Sequence, residues 1–147
     1  GEGRAVSERE VSQVAPVPAP RSETVLFIPR LGVHTYVRNP QDLNLGPAWW
    51  PTTGRPGGGD TLAIAGHRIT HTHPFLYLDR VRVGDRVFVT WRGKDYEYRV
   101  RRTFVRPATD MHIADATGSE RLLLTACTPR GSARFRIVIE ATLRSVR

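Results

Sequence analysis

Short runs of apolar residues, each broken by proline, glycine or a polar cluster, dominate the pattern of this chain. Their length and their β-branched and aromatic content are typical of strands, whereas helical periodicity is weak. The pattern predicts short helical turns near 75–80 and 110–114, and strands over residues 24–28, 34–38, 61–65, 86–91, 96–100, 122–127 and 134–139. Many short strands with Gly- and Pro-rich connections favour an all-β fold, a closed or nearly closed β-barrel.

Alternation in the last strand predicts how it pairs with the strand before it. The core-facing side carries the apolar residues Phe135, Ile137, Ile139, Ala141 and Leu143. Arg136 therefore faces the opposite, outer surface. A hairpin centred between Gly131 and Ser132 would place Cys127 directly opposite Arg136, on the same face. A slip of one residue would separate the two side chains onto opposite faces.

The N-terminal segment differs in composition from the rest of the chain. It mixes Glu, Arg and Ser and then alternates proline with small residues between Ala15 and Pro20. Such alternation favours an extended polyproline conformation. We expect residues 1–22 to be a flexible Pro-rich tether and residues 23–147 to be one folded domain.

Composition narrows the class of protein. The chain has 147 residues and a net charge of +8, carried almost wholly by arginine, so its surface favours anionic partners. A single cysteine excludes an intrachain disulfide and a four-cysteine zinc site. The sequence contains no apolar run of about 18 residues, the length that spans a membrane. Any membrane anchor would then be a segment outside this sequence.

Three residue types at strand ends suggest a thiol nucleophile with two partners. Cys127 closes one apolar strand, His67 closes another, and Arg136 lies in the last strand. A free thiol is mostly protonated at neutral pH, so a nearby imidazole is needed as base and later as acid. An arginine favours the thiolate and can hold the oxyanion of a tetrahedral intermediate. The alternative for a lone cysteine is a small buried apolar side chain.

Other candidates are weaker. Trp50, beside Trp49, could form a wall of a substrate groove, and Arg134 shares the predicted face of Arg136. His67, His71 and His73 invite a metal-site interpretation, but they lack a helical His-Glu-x-x-His context and a nearby acid. We expect neither a metal nor another cofactor.

Three segments resemble the sortases, cysteine transpeptidases of Gram-positive cell surfaces, and most closely those of class E. Residues 61–68 resemble the family strand that ends in Gly-His-Arg. Residues 122–127, followed by Pro129, resemble the strand that ends in the cysteine, and residues 132–136 resemble the strand that bears the arginine. The resemblance covers roughly residues 24–143.

The resemblance implies an eight-stranded sortase-like barrel with short helices in its connections and a groove on its outer surface. His67, Cys127 and Arg136 take the catalytic positions, and Thr125 and Ala126 take positions near the substrate. The chain departs from the family pattern at Ala126, where sortases have threonine, and at Thr128, where class E often has histidine.

The implied reaction cleaves a sorting signal of the Leu-Ala-x-Thr-Gly or Leu-Pro-x-Thr-Gly type between Thr and Gly, through a thioester. An amine of a peptidoglycan precursor or a pilin lysine then resolves the thioester. The implied partners are this signal peptide, the amine and the membrane, reached through a segment absent from this sequence. The implied location is the extracellular face of the cell membrane, with no role for nucleic acid.

Two other interpretations stay open. A sortase-like barrel weakened by Ala126 would keep the fold with little turnover. A basic β-barrel that binds an anionic polymer would explain the charge, but it would leave the order of His67, Cys127 and Arg136 as coincidence. Two other cysteine-enzyme families fit less well, because L,D-transpeptidases have a different cysteine motif and NlpC/P60 peptidases place cysteine before histidine.

Overall fold

Eight strands form one sheet in the computed structural model, which describes residues 24–38, 46–67, 75–128 and 133–147. The strands are β1 (Thr24–Ile28), β2 (Val33–Val37), β3 (Ala48–Trp49), β4 (Thr61–Ala65), β5 (Arg86–Trp91), β6 (Lys94–Pro107), β7 (Arg121–Thr128) and β8 (Phe135–Val146). Short 3-10 helices cover Pro29–Leu31, Leu78–Arg80 and His112–Ala114. The predicted tether, the turn at Gly131 and Ser132, and His71 and His73 lie outside the described residues.

The sheet closes almost completely on itself. Its strand order is β2-β1-β5-β6-β8-β7-β4-β3, and of the seven pairings between these described strands, β4–β7 is parallel and the other six are antiparallel. The two edge strands meet through a bridge between Arg38 and Ala48. There the Arg38 N–H donates to the Pro47 carbonyl at 2.7 Å, and the Trp49 N–H donates to the Arg38 carbonyl at 3.1 Å. The prediction of an all-β, eight-stranded barrel with short helical connections is confirmed.

Local sequence explains where several strands begin and end. β4 follows a segment with three consecutive glycines, and the turn from β5 to β6 places Arg92 at φ 53° and Gly93 at φ 79°. Two consecutive residues with positive φ form the tight hairpin turn whose twist matches its strands. The predicted bounds of β1, β4 and β5 are confirmed, whereas β2 begins and ends one residue earlier than predicted.

The barrel interior holds the main apolar core, and a second cluster lies on the outside. The interior includes Leu26, Ile64, Tyr98, Leu124 and Ile139, all at most 1% exposed. The outer cluster consists of Trp50, Ala63, Ile113, Leu123 and Val138. The outer face of β8 is therefore not wholly open to solvent: Val138 and Glu140 are 0% and 3% exposed.

Candidate active site

Cys127 lies one residue before the end of β7, and its side chain is exposed. Because side chains alternate along a strand, Thr125 shares its outer face, while Ala126 turns into the barrel core and is 4% exposed. The interpretation of Cys127 as a buried apolar residue is therefore wrong. Ala126 can therefore offer a ligand in the outer groove only its backbone, and its place near the substrate stays a prediction.

Arg136 stands directly opposite Cys127 in the antiparallel β7–β8 ladder. The predicted register is thus confirmed, although the turn that sets it lies outside the described residues. Within the described part of the chain, Arg136 makes no ion pair. Its positive charge is therefore not cancelled by a neighbouring carboxylate there.

His67 follows β4 at the position where the parallel ladder would continue to Cys127. Ala65 pairs with Thr125, and the Gly66 N–H donates to the Thr125 carbonyl at 3.0 Å. Two further residues along both strands bring His67 level with Cys127. The His67 ring is partly buried, with Nε2 shielded from solvent, and its carbonyl accepts the Phe75 N–H at 3.0 Å. The pairing places Cys127 beside Arg136, and the direction of the parallel ladder extends this row of residues toward His67.

Gly66 is required next to this histidine by packing. A Cβ added at Gly66 would lie 2.6 Å from Cδ2 of Phe75, whose side chain is fully buried. That separation is well inside van der Waals contact. A side chain at position 66 would therefore displace either Phe75 or the backbone that carries His67.

Trp50 is buried beside the row and contacts both Thr125 and Arg136. Its indole Nε1 donates to Thr125 Oγ1 at 3.1 Å, and its ring centroid lies 5.0 Å from the guanidinium carbon of Arg136. At 7% exposure its ring packs in the outer cluster rather than forming an open wall. The Thr125 hydroxyl is likewise buried, at 1% exposure, and is occupied by the indole N–H.

Arg134 lies outside the row, on the exposed segment that leads into β8. Its carbonyl accepts the Ala108 N–H at 2.9 Å, and its guanidinium carbon lies 5.7 Å from the Phe135 ring centroid. These contacts tie Arg134 to the turn after β6. The structure therefore gives Arg134 a surface position near, but not within, the row.

Two features of the site were missed from the sequence. Met111, in the turn after β6, places its thioether sulfur 3.6 Å from Nη1 of Arg136. Glu140, 3% exposed, accepts hydrogen bonds from Arg102 Nε at 2.8 Å and from Arg121 Nη1 at 3.3 Å. Nothing local in the sequence signals either contact, because each joins residues brought together only by the fold.

The described residues contain no group of three His, Cys, Asp or Glu side chains able to hold a metal ion. Nor does any helix among them have the length and apolar character needed to cross a membrane.

Comparison with known families decides the kind of protein. A family model described as the sortase domain matches residues 26–144. The chain belongs to the sortase family. A curated relative, sortase SrtE1 of Streptomyces coelicolor, is 26% identical over 87 residues, which cover 53% of this chain. The matched region spans only 25% of that relative's length.

Solved sortase structures share the barrel. The sortase D5 transpeptidase of Clostridium perfringens superposes with a TM-score of 0.75 at 23% identity, covering 84% of this chain and 79% of that one. A pilus-related sortase C of Group B Streptococcus superposes with a TM-score of 0.78 at 17% identity, covering 87% of this chain and 70% of that one. A lid mutant of sortase A from Corynebacterium diphtheriae superposes with a TM-score of 0.77 at 20% identity, covering 88% of this chain and 73% of that one. At these identities the likeness establishes the sortase fold.

Proposed function

We propose that this sortase is a cysteine transpeptidase that cleaves a sorting signal between Thr and Gly and joins the acyl fragment to an amine. The observation that carries the proposal is the row itself. An exposed thiol stands directly opposite an arginine that has no ion pair among the described residues, and the parallel ladder leads His67 toward the same thiol.

In the first half of the reaction, the Cys127 sulfur attacks the threonine carbonyl of the signal as a thiolate. The carbonyl oxygen becomes anionic, and Arg136, which pairs with Cys127 across the ladder, is proposed to donate to that oxygen. When the C–N bond breaks, the leaving glycine amine takes a proton from protonated His67. The product is a thioester on Cys127.

In the second half, neutral His67 takes a proton from the incoming amine as its nitrogen attacks the thioester carbonyl. Arg136 again faces the developing oxyanion. Collapse of the intermediate forms the new amide bond and releases the Cys127 thiolate. The incoming amine is proposed to belong to a peptidoglycan precursor or a pilin lysine.

We infer that the enzyme is a class E sortase, and we therefore propose a Leu-Ala-x-Thr-Gly signal over Leu-Pro-x-Thr-Gly. The support is the 26% identity to a sortase named SrtE1 and the motifs around His67 and Cys127. Ala126 departs from the family threonine, but its side chain lies in the core, so the proposal gives that side chain no part in binding. The proposed setting is the extracellular face of the membrane, reached through a segment outside this sequence.

A transpeptidation assay tests the proposal. Labelled Leu-Ala-x-Thr-Gly and Leu-Pro-x-Thr-Gly peptides are incubated with the protein and an amine, and products are quantified by mass spectrometry. We expect product with the wild type, none with Cys127→Ala, and at least about a hundredfold lower kcat with Arg136→Ala. Arg101→Ala serves as the matched control, since the Arg101 side chain is 61% exposed and pairs with Glu140. Product formed by Cys127→Ala would exclude the mechanism, and a folded wild type without product would favour a weakened sortase.

A further inference from the structure

We propose that Trp50 is a positioning residue for Arg136: its indole face holds the guanidinium beside Cys127 without cancelling the guanidinium charge. The mechanistic meaning of this inference rests on the proposed function. Its geometry rests only on contacts among described residues, and those contacts can be tested without any peptide substrate.

The indole is fixed from two strands of the sheet. The Trp50 backbone N–H donates to the Ala63 carbonyl of β4 at 2.9 Å, and its Nε1 donates to Thr125 Oγ1 of β7 at 3.1 Å. The Trp50 carbonyl in turn accepts the Thr53 hydroxyl at 3.2 Å. At 7% exposure the ring has little freedom to rotate. The Trp50 ring is therefore held in a fixed position relative to β7, the strand that carries Cys127.

Arg136 rests on this surface through contacts that carry no opposite charge. Its guanidinium carbon lies 5.0 Å from the ring centroid, within the range of a cation–π contact. On another side, Nη1 lies 3.6 Å from the Met111 sulfur. Elsewhere on the outer face, Arg102 and Arg121 are instead held by the Glu140 carboxylate.

A carboxylate and an aromatic ring both hold an arginine, but they differ in how much of its charge and how many of its N–H donors stay available to a neighbouring group. A carboxylate partner would fix the guanidinium but would offset its charge and occupy its donors. An aromatic face fixes it while leaving the charge and in-plane N–H groups available. Trp50 thus keeps Arg136 both placed and unneutralised, which a thiolate and an oxyanion require. The buried Thr125 hydroxyl contributes by orienting the indole.

An electrostatic readout at Cys127 tests this inference directly. Iodoacetate and iodoacetamide both alkylate a thiolate, with the S–C bond forming as iodide leaves, but only iodoacetate is an anion. At low ionic strength, a cation beside the sulfur raises the ratio of the iodoacetate rate constant to the iodoacetamide rate constant. We expect Arg136→Ala to lower this ratio at least about threefold, the effect of one charge about 6 Å away in a water-like dielectric at low ionic strength.

The Trp50 variants then separate positioning from simple stability. Trp50→Leu is expected to lower the ratio to the Arg136→Ala value, with no further fall in the double variant. Trp50→Phe, which keeps an aromatic face, is expected to retain most of the ratio. Thr125→Val is expected to give an intermediate value. The matched control is Trp91→Leu. It removes the ring of the last β5 residue, whose centroid lies 4.4 Å from the guanidinium carbon of Arg92, and it should leave the ratio unchanged.

Each outcome bears on the inference separately from the proposed function. A wild-type ratio in folded Trp50→Leu would overturn the positioning role. If Trp50→Leu does not fold, a wild-type ratio in Thr125→Val would overturn it. An unchanged ratio in Arg136→Ala would also overturn it, because no charge would then reach the sulfur. Loss of the ratio in Trp50→Leu supports the inference even if no sorting peptide is turned over. Circular dichroism identifies the variants that fold.

Discussion

Removing the Glu140 carboxylate is expected to destabilise the barrel through one partly buried arginine in particular. Glu140 is 3% exposed on the outer face of β8 and faces three arginines. The side chains of Arg101 and Arg102 are 61% and 50% exposed, so both can turn into water in Glu140→Ala. Arg121, whose side chain is 13% exposed, cannot do so.

The size of the effect follows from what Arg121 keeps. In Glu140→Ala it still donates to Thr61 Oγ1 at 2.8 Å and to the carbonyls of Ile113 and Asp115 at 2.9 and 3.1 Å. Arg121 loses one charge-assisted hydrogen bond, and with it the only carboxylate that pairs with it among the described residues. We therefore expect a loss of about 2–3 kcal/mol in the free energy of unfolding, below the full cost of an isolated buried charge.

Urea unfolding measures this loss by linear extrapolation. Arg101→Ala is the control, with an expected change of at most about 0.5 kcal/mol, because its pair with Glu140 spans 3.6 Å at an exposed site. Glu140→Gln, which keeps an acceptor oxygen, should fall between the two. Equal midpoints for Glu140→Ala and Arg101→Ala would refute the reasoning, because burial would then not decide the cost.

Two further predictions concern packing beside His67 and acid stability. Gly66→Ala should lower the free energy of unfolding by about 1–3 kcal/mol and slow the acylation of Cys127, because the new methyl group meets the buried Phe75 ring. Thermal melts measure the first effect and peptide kinetics the second. Unchanged values would contradict this packing. Hydrogen bonding from Arg30 lowers the pKa of Asp85, so its stabilisation is present above the ordinary aspartate pKa of about 3.9 and is lost as pH falls through the lower folded value. Asp85→Asn should flatten that part of the stability curve, and an unaltered acid limb would contradict this.

Some strands were predictable because local signals end them. β4 starts after a glycine-rich segment, and β5 ends at the turn formed by Arg92 and Gly93. The register of β7 against β8 was predicted from a hairpin taken to be centred between Gly131 and Ser132, whereas the alternation of apolar residues fixed only the face of each side chain. That register placed Cys127 beside Arg136, which is the main part of the candidate site.

Other elements depend on partners that are distant in sequence. β6 extends from Lys94 to Pro107, well past the predicted residue 100, because β8 supplies a hydrogen-bonding partner along that whole length. β3 has two residues and is defined by its pairing with β4 and by the bridge between Ala48 and Arg38. The second apolar cluster forms because residues in the turn after β6 cover the outer face, which strand alternation alone marks as exposed.

The row formed by His67, Cys127 and Arg136 also links the fold to the proposed chemistry. A parallel neighbour brings His67 to one side of the nucleophile, and an antiparallel neighbour brings Arg136 to the other. One strand thus carries the sulfur between the residues proposed as base and as oxyanion donor. The geometry follows from sheet register rather than from the conformation of any single loop.

The most direct test of this geometry is the intact mass of the protein within seconds of mixing with a sorting peptide, followed by peptide mapping. The account predicts an adduct equal in mass to the signal fragment ending at threonine, located on Cys127 and released by hydroxylamine. In Arg136→Ala the same adduct should form at least about a hundredfold more slowly. An adduct on any residue other than Cys127, or one that forms at the wild-type rate without Arg136, would contradict the account.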